Sequence, residues 1–228
     1  MPYGGSMVDA NAESFSRRNR NKQRTRVRIL DAARQLFTEK GVAATTIEEL
    51  ADRADVARAT FFNYFPSKIA VVEEILNIHD DSFFRGLAAE LERDLSTKAL
   101  LEGFFAASAR AIEGSPDFFR VMIAESEKTQ AGFDTDRDRY LVMITQFKKV
   151  IDRGTARGDV RTDYPADLLA EILVGAYATV LRSWRGRPGY ALVDRLTKAA
   201  SAMGDFLSPP QNEPRKRKPA AQSSLIFS

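Results

Sequence analysis

The 3.6-residue spacing of apolar side chains, which recurs almost throughout the chain, is the feature that most constrains the fold. No stretch alternates apolar and polar residues in the way that a half-buried strand does. The pattern therefore predicts an all-α protein of about nine helices. The expected helices cover residues 22–40, 47–54, 57–65, 68–94, 97–113, 116–128, 135–154, 165–185 and 190–207.

Composition excludes several classes of protein. The chain has no cysteine, which rules out disulfides, zinc-thiolate sites and thiol nucleophiles. No nucleophile elbow, metal triad or phosphate loop is visible, so we expect neither an enzyme nor a bound metal or cofactor. No run without charge is longer than Ile172–Leu181, which is about half as long as a membrane span, and residues 1–20 lack the apolar core of a signal peptide. We expect a soluble, cytoplasmic protein.

Positive charge is concentrated near the N-terminus. Residues 17–68 hold twelve Lys and Arg against six Asp and Glu, and residues 17–28, which include Arg24 and Arg26, hold seven cations and no acid. This composition is typical of an arm that contacts a polyanion. On charge alone, a solubilising tail remains an alternative.

Two short helices joined by a tight turn follow the first helix. Thr46 and Glu49 have capping-box spacing, which starts the first of them at 47, and the turn at Asp55 and Val56 leads into the second. This is the spacing of a helix-turn-helix unit, whose second helix enters the DNA major groove. Phe61 and Phe65 are one turn apart and are expected to pack inward. The outward positions are then Arg58, Thr60, Asn63 and Tyr64.

The same segment resembles a known family. Residues 41–68, GVAATTIEELADRADVARATFFNYFPSK, preceded by ILDAARQLFTEKG at 29–41, resemble the signature of the tetracycline-repressor (TetR) family of bacterial transcriptional regulators. The resemblance covers about residues 24–72 and implies DNA binding. It implies that Thr46 caps its helix near a phosphate, that Tyr64 and Lys68 hold phosphates, and that the base edges face Arg58, Ala59, Thr60 and Asn63.

Three residues depart from the family pattern. Phe62 stands where the family usually has Tyr, so a phosphate contact is expected to be missing. Ala57 replaces the customary Ser cap, at a cost of about 0.5–2 kcal/mol unless Asp55 substitutes for it. Asp55 itself replaces a turn glycine, which is tolerable because Asp adopts left-handed backbone geometry more readily than most residues.

The last two helices carry a candidate dimer interface. The 165–185 helix is apolar on more than one side, and the 190–207 helix has the heptad spacing of a helix-bundle seam. Packing within one chain would give the same pattern, but the resemblance adds support for a homodimer. The predicted interface residues are Leu169, Ile172, Gly175, Ala176, Thr179, Val180, Leu192, Leu196, Ala199 and Met203.

The middle helices are unusually aromatic. Apolar pockets between bundle helices are common ligand sites, so we expect a small apolar or aromatic effector there. The candidate contact residues are Phe104, Phe105, Phe118, Met122, Met143, Phe147 and Tyr177.

These observations define four segments and one principal function. The segments are a disordered basic arm over 1–21, a helix-turn-helix DNA-binding domain over 22–72, a ligand-binding and dimerisation domain over 73–208, and a disordered basic tail over 209–228. The predicted function is a repressor that binds double-stranded DNA at a palindromic operator as a homodimer and is released by its effector. The alternative is a helical adaptor that binds protein without sequence-specific DNA binding.

Overall fold

The computed structural model describes the backbone of residues 7–130 and 139–210, and the side chains of residues 19–128 and 139–210. These residues form nine helices and no strand. The helices are α1 (Met7–Ala44), α2 (Ile47–Arg53), α3 (Arg58–Phe62), α4 (Lys68–Leu91), α5 (Thr97–Glu113), α6 (Pro116–Gln130), α7 (Arg139–Arg157), α8 (Ala166–Gly186) and α9 (Leu192–Leu207). The all-α prediction is confirmed. None of the helices in these ranges combines the length and the apolar character that a membrane span requires.

The N-terminal arm differs from the prediction. We expected disorder over 1–21, but α1 already begins at Met7. Residues 7–21 contain neither proline nor glycine, so nothing in the sequence stops the helix, although no periodic apolar face announces it. The predicted basic tail lies almost wholly outside the described residues, which end at 210.

The caps and turns of the N-terminal helices follow the sequence closely. Gly41 has a φ of 81° and kinks the end of α1, while Asp55 has a φ of 51°, in the left-handed region. The Thr46 hydroxyl accepts the Glu49 N–H, and the Glu49 carboxylate accepts the Thr46 N–H, so the capping box is present. Ser67 caps α4 in the same way, by accepting the Ala70 N–H.

The recognition helix α3 is shorter than expected. It ends at Phe62 rather than at residue 65, because the Asn63 N–H is shared between the Ala59 and Thr60 carbonyls in a tightening last turn. Phe65 precedes Pro66, and a residue before proline is disfavoured in helical geometry.

Two apolar cores divide the described structure. The N-terminal core joins α1, α2 and α3 to the first turns of α4, with Phe37, Leu50, Phe61 and Ile75 fully buried. The C-terminal core is formed by the end of α4 together with α5, α7, α8 and α9. Helix α4 therefore contributes to both cores, and its apolar side chains connect them.

Helix α9 packs along α5 inside the same chain. At Gly204 an added Cβ would lie 2.8 Å from Lys98 Cβ and 3.0 Å from Lys98 Cα, so the two helices approach closely there. Leu192 and Leu196 are fully buried in this contact, and Leu169 of α8 is buried in the same core. The prediction that these three leucines lie at a dimer interface is wrong, because intramolecular packing on α5 and its neighbours covers them.

Candidate DNA-binding site

Three charged contacts fix the helix-turn-helix against α1. Arg28 donates from Nε to the Ala54 carbonyl at 2.9 Å, and its Nη2 lies 3.0 Å from Asp55 Oδ2. These bonds hold the strained turn between α2 and α3. One residue earlier in the chain, Arg53 at the end of α2 lies with its Nη1 3.0 Å from Glu39 Oε1. Helix α1 therefore holds the C-terminal end of α2 and the turn that leads into α3.

Glu49 completes the third contact. Its carboxylate accepts a hydrogen bond from Lys40 at the end of α1 as well as from the Thr46 N–H. The bond from Lys40, followed by those from Thr46, lowers the pKa of Glu49 to about 2. The carboxylate is therefore ionised at neutral pH and keeps the capping box closed.

Helix α3 presents its polar side chains outward. Arg58, Ala59 and Asn63 are exposed, while Thr60 and Tyr64 are half-buried. Phe61 and Phe65 are buried in the N-terminal core, as predicted. The side chains that the family resemblance assigns to base edges are therefore at least partly accessible to solvent.

Arg58 has two neighbours that the sequence analysis did not identify. Its Nε lies 3.2 Å from Glu48 Oε1, and its guanidinium carbon lies 5.6 Å from the centroid of the Phe62 ring. Phe62 is four residues further along α3, so its position beside Arg58 could have been inferred from helical spacing. Glu48 belongs to a different helix, and no local pattern indicates that it meets Arg58.

The other residues that are predicted to contact DNA have different surroundings in the structure. Lys68 donates to the Thr45 carbonyl at 2.6 Å and to the Ala43 carbonyl at 3.2 Å, so it closes the loop between α1 and α2. Arg26 pairs with Glu74 of α4 and lies over the Phe65 ring. Arg24 and Thr46 are exposed. In the free protein, then, Lys68 and Arg26 hold the domain together, whereas Arg24 faces solvent.

The predicted effector residues fall into two groups. Phe104, Phe105, Phe147 and Tyr177 lie together in the C-terminal core, with Met143 packed against it. The Phe105 and Tyr177 ring centroids are 5.0 Å apart, and those of Phe105 and Phe147 are 6.0 Å apart. The structure therefore brings five of the seven residues into one aromatic cluster.

Phe118 and Met122 belong to the other core. These α6 residues are buried among the side chains of α1 and α4, so grouping them with the aromatic cluster was wrong. The sequence shows that they are apolar at helical spacing but not which core they join. The ring centroids of Phe118 and of His79 on α4 are 5.2 Å apart.

The aromatic cluster includes a hydrogen-bonded polar pair in which Tyr177 is buried and Ser108 is half-buried. The Tyr177 and Ser108 hydroxyl oxygens are 2.6 Å apart, and burial raises the pKa of Tyr177 to about 12. A pocket of about 300 Å³ lies elsewhere, where Arg161 and Pro209 are among its lining residues, and none of the seven predicted residues lines it.

The remaining predicted interface residues lie at or near the surface. Ile172 and Thr179 of α8 are exposed, with 38% of Ile172 accessible. The residues that are half-buried in the single chain are Gly175, Ala176, Val180, Ala199 and Met203. Val180 and Met203 also pack partly against the C-terminal core. These seven residues are the part of the predicted interface on α8 and α9 that is accessible in the single chain, its open face.

Comparison with known proteins agrees with this geometry. Residues 29–75 match the family described as bacterial regulatory proteins, tetR family. A transcriptional repressor from Rhodococcus jostii, KstR2, is 29% identical over 197 residues, which cover 84% of this chain and 95% of the relative. Residues 29–75 therefore carry the segment that defines the TetR family model. Its similarity to these regulators makes the protein a helix-turn-helix transcriptional regulator rather than an enzyme.

Solved TetR-family structures match the fold over most of the chain. The complex of SmeT with triclosan superposes with a TM-score of 0.69, at 20% identity over 82% of this chain and 93% of SmeT. FadR from Thermus thermophilus, in complex with lauroyl-CoA, superposes with a TM-score of 0.61, at 25% identity over 78% of this chain and 92% of FadR.

Proposed function

We propose that this protein is a repressor that binds a palindromic operator as a homodimer and is released by a small apolar or aromatic effector. The observation that carries the proposal is the exposed polar face of α3, mounted on α1 by Arg28, Arg53 and Glu49. A rigidly mounted short helix with accessible Arg, Thr and Asn side chains is suited to reading base edges in the major groove.

The roles of individual residues follow from their placement. Arg58, Ala59, Thr60 and Asn63 meet base edges, and Tyr64 meets a phosphate. In this proposal Lys68 keeps its two carbonyl bonds and uses its third N–H for a phosphate. Thr46 and Arg24 contact the DNA backbone on either side of these positions. Arg26 can contribute only if it leaves Glu74.

The homodimer is proposed to form through the open face of α8 and α9. Gly175 permits close approach, since no atom of a neighbouring helix lies within 4 Å of an added Cβ there. Two copies related by a two-fold axis would present two α3 helices to successive major grooves, roughly 34–36 Å apart. The operator would then be palindromic.

The effector is proposed to enter the aromatic cluster around Phe104, Phe105, Met143, Phe147 and Tyr177. The relatives support this class of ligand, because SmeT was solved with triclosan and FadR with lauroyl-CoA. Helix α4 would carry the response, since Leu87 is buried in the C-terminal core and Ile75 in the N-terminal core. An effector that shifts α4 would change the spacing of the two α3 helices.

The test of DNA binding is a fluorescence-anisotropy titration of a duplex enriched from a randomised pool, repeated at two salt concentrations. We expect a dissociation constant of about 10⁻⁸–10⁻¹¹ M at physiological salt that weakens steeply as salt rises. Uniform weak binding to every duplex would overturn the proposal in favour of the adaptor.

The same duplex is used to test whether an effector releases DNA. Triclosan and lauroyl-CoA are the first probes, and Trp184, which is the single tryptophan and is buried in the C-terminal core, reports on the domain by its fluorescence. A probe that changes Trp184 emission should also release the duplex. A probe that alters Trp184 emission and leaves DNA affinity unchanged would contradict the proposed coupling.

A further inference from the structure

We propose that Glu48 and Phe62 are positioning residues that fix the guanidinium of Arg58 for reading a guanine. The proposal rests on the proposed function, because it assumes that α3 lies in the major groove. It assigns a role in specificity to an acidic side chain and to an aromatic side chain that have no direct part in the contacts described above.

Arg58 is held on two sides. Glu48 Oε1 lies 3.2 Å from Nε, and the Phe62 ring centroid lies 5.6 Å from the guanidinium carbon. A guanidinium has five N–H donors in a fixed fork, so an Nε contact with Glu48 leaves the terminal amino groups for guanine O6 and N7. The long Arg side chain would otherwise lose much rotamer freedom on binding.

Both holding groups are themselves fixed. Glu48 lies in the first turn of α2, beside the Glu49 that closes the capping box. The Phe62 ring packs edge-on against the fully buried Phe61, with centroids 5.7 Å apart and planes at 90°. Arg58 thus connects to the N-terminal core through Phe62 and to α2 through Glu48.

The exposure of the three side chains points to a role outside folding. The side chain of Arg58 is 65% accessible and that of Glu48 is 58% accessible, and such exposed ion pairs contribute little to stability. A carboxylate beside a DNA-facing arginine also repels phosphates, so it weakens binding to any sequence. We infer that the Glu48 carboxylate acts by directing the Arg58 guanidinium, which improves discrimination between DNA sequences.

The experiment measures discrimination separately from affinity. Wild type and Glu48→Gln are titrated with the selected duplex, with a duplex carrying adenine in place of the guanine read by Arg58, and with unrelated DNA. We expect E48Q to bind unrelated DNA a few-fold more tightly and to lose about tenfold in discrimination between guanine and adenine. Phe62→Leu should reduce discrimination as well, whereas Phe62→Tyr, which keeps the ring, should retain it.

Asp52→Asn is the matched control. Asp52 is an exposed acid on the same helix, and the described structure shows no side-chain contact between it and Arg58. D52N removes one negative charge and should leave discrimination unchanged. Thermal unfolding of each variant checks that the domain stays folded, and the expected midpoints agree with that of the wild type.

A double-mutant cycle with Arg58→Ala decides between positioning and direct reading. In the R58A background, E48Q should have no further effect on discrimination. If E48Q behaves like D52N, or if it still alters base preference without Arg58, the proposal is overturned. Failure of the proposed function would look different, because the wild type itself would then select no sequence.

Discussion

Gly154 on α7 shows how a single residue can determine a helix contact. A Cβ added there would lie 2.3 Å from Thr97 Oγ1 and 2.4 Å from Val160 Cγ2. Thr97 is buried, and its hydroxyl donates to Asp159 Oδ1 at 2.7 Å, so it cannot move without breaking that bond. The sequence shows a glycine inside a helical pattern but not the neighbour that requires it.

Gly154→Ala should therefore destabilise the protein by about 1–3 kcal/mol through overpacking. Gly103→Ala is the matched change, because Gly103 lies inside α5 with nothing within 4 Å of an added Cβ. It should stabilise by about 0.5–1 kcal/mol through helix propensity. Urea unfolding measures both, and equal effects of the two substitutions would contradict the packing argument.

His79, which lies between the two cores, makes a pH-dependent contribution to the free energy of unfolding. Burial, and then the charges of Arg34 and Arg139, lower the pKa of His79. Because the folded pKa is below the unfolded value, its contribution to stability is full above about pH 6.5 and is lost as pH falls through the folded pKa.

Since His79 is the single histidine, His79→Gln isolates this effect. The free energy of unfolding of the wild type should fall as the pH is lowered from about 6.5 toward 5, and that of H79Q should fall less. Urea titrations at several pH values make the comparison. Parallel losses in the two proteins would assign the pH dependence to other groups.

Helix α3 lacks a side-chain hydrogen bond at its N-cap. Ala57 has the extended backbone of an N-cap, with φ −65° and ψ 148°, but offers no side-chain acceptor, and the Asp55 carboxylate pairs with Arg28 instead of capping. The departure from the family pattern at Ala57 is thus left uncompensated within the described contacts of this turn.

Ala57→Ser should restore the cap and raise stability by about 0.5–2 kcal/mol. Ala59→Ser, in the helix interior, is the control and should give no such gain, because serine is a weaker helix former than alanine. Thermal unfolding distinguishes them. A loss of stability in A57S would show that the serine hydroxyl does not reach the first turn of α3.

Helix positions and caps could be predicted from the sequence because they depend on neighbours within a few residues. The capping box at Thr46 and Glu49, the stop at Gly41 and the bounds of α5 were all confirmed. Partners that are distant in the chain could not be predicted. Arg28 meets Ala54 across 26 residues, and Phe118 joins the N-terminal core from α6.

At the scale of the whole molecule, the open face of α8 and α9 is proposed to build the dimer. Ile172→Arg places a charge on that face and should give a monomer in sedimentation velocity. Because both half-sites must be bound together for high avidity, affinity for the selected duplex should fall by about 100-fold or more. Val142→Arg, at an exposed position on α7, is the control that should stay dimeric.

The most direct test of the account is to select DNA from one randomised pool with the wild type and with Arg58→Ala in parallel, and to sequence the bound fractions. We predict that the wild type enriches a palindrome with a guanine at the same position of each half-site. The R58A variant should enrich the same palindrome with that position degenerate in both halves. Identical motifs from the two proteins, or no enriched motif from the wild type, would contradict the assignment of α3 as the helix that reads the operator.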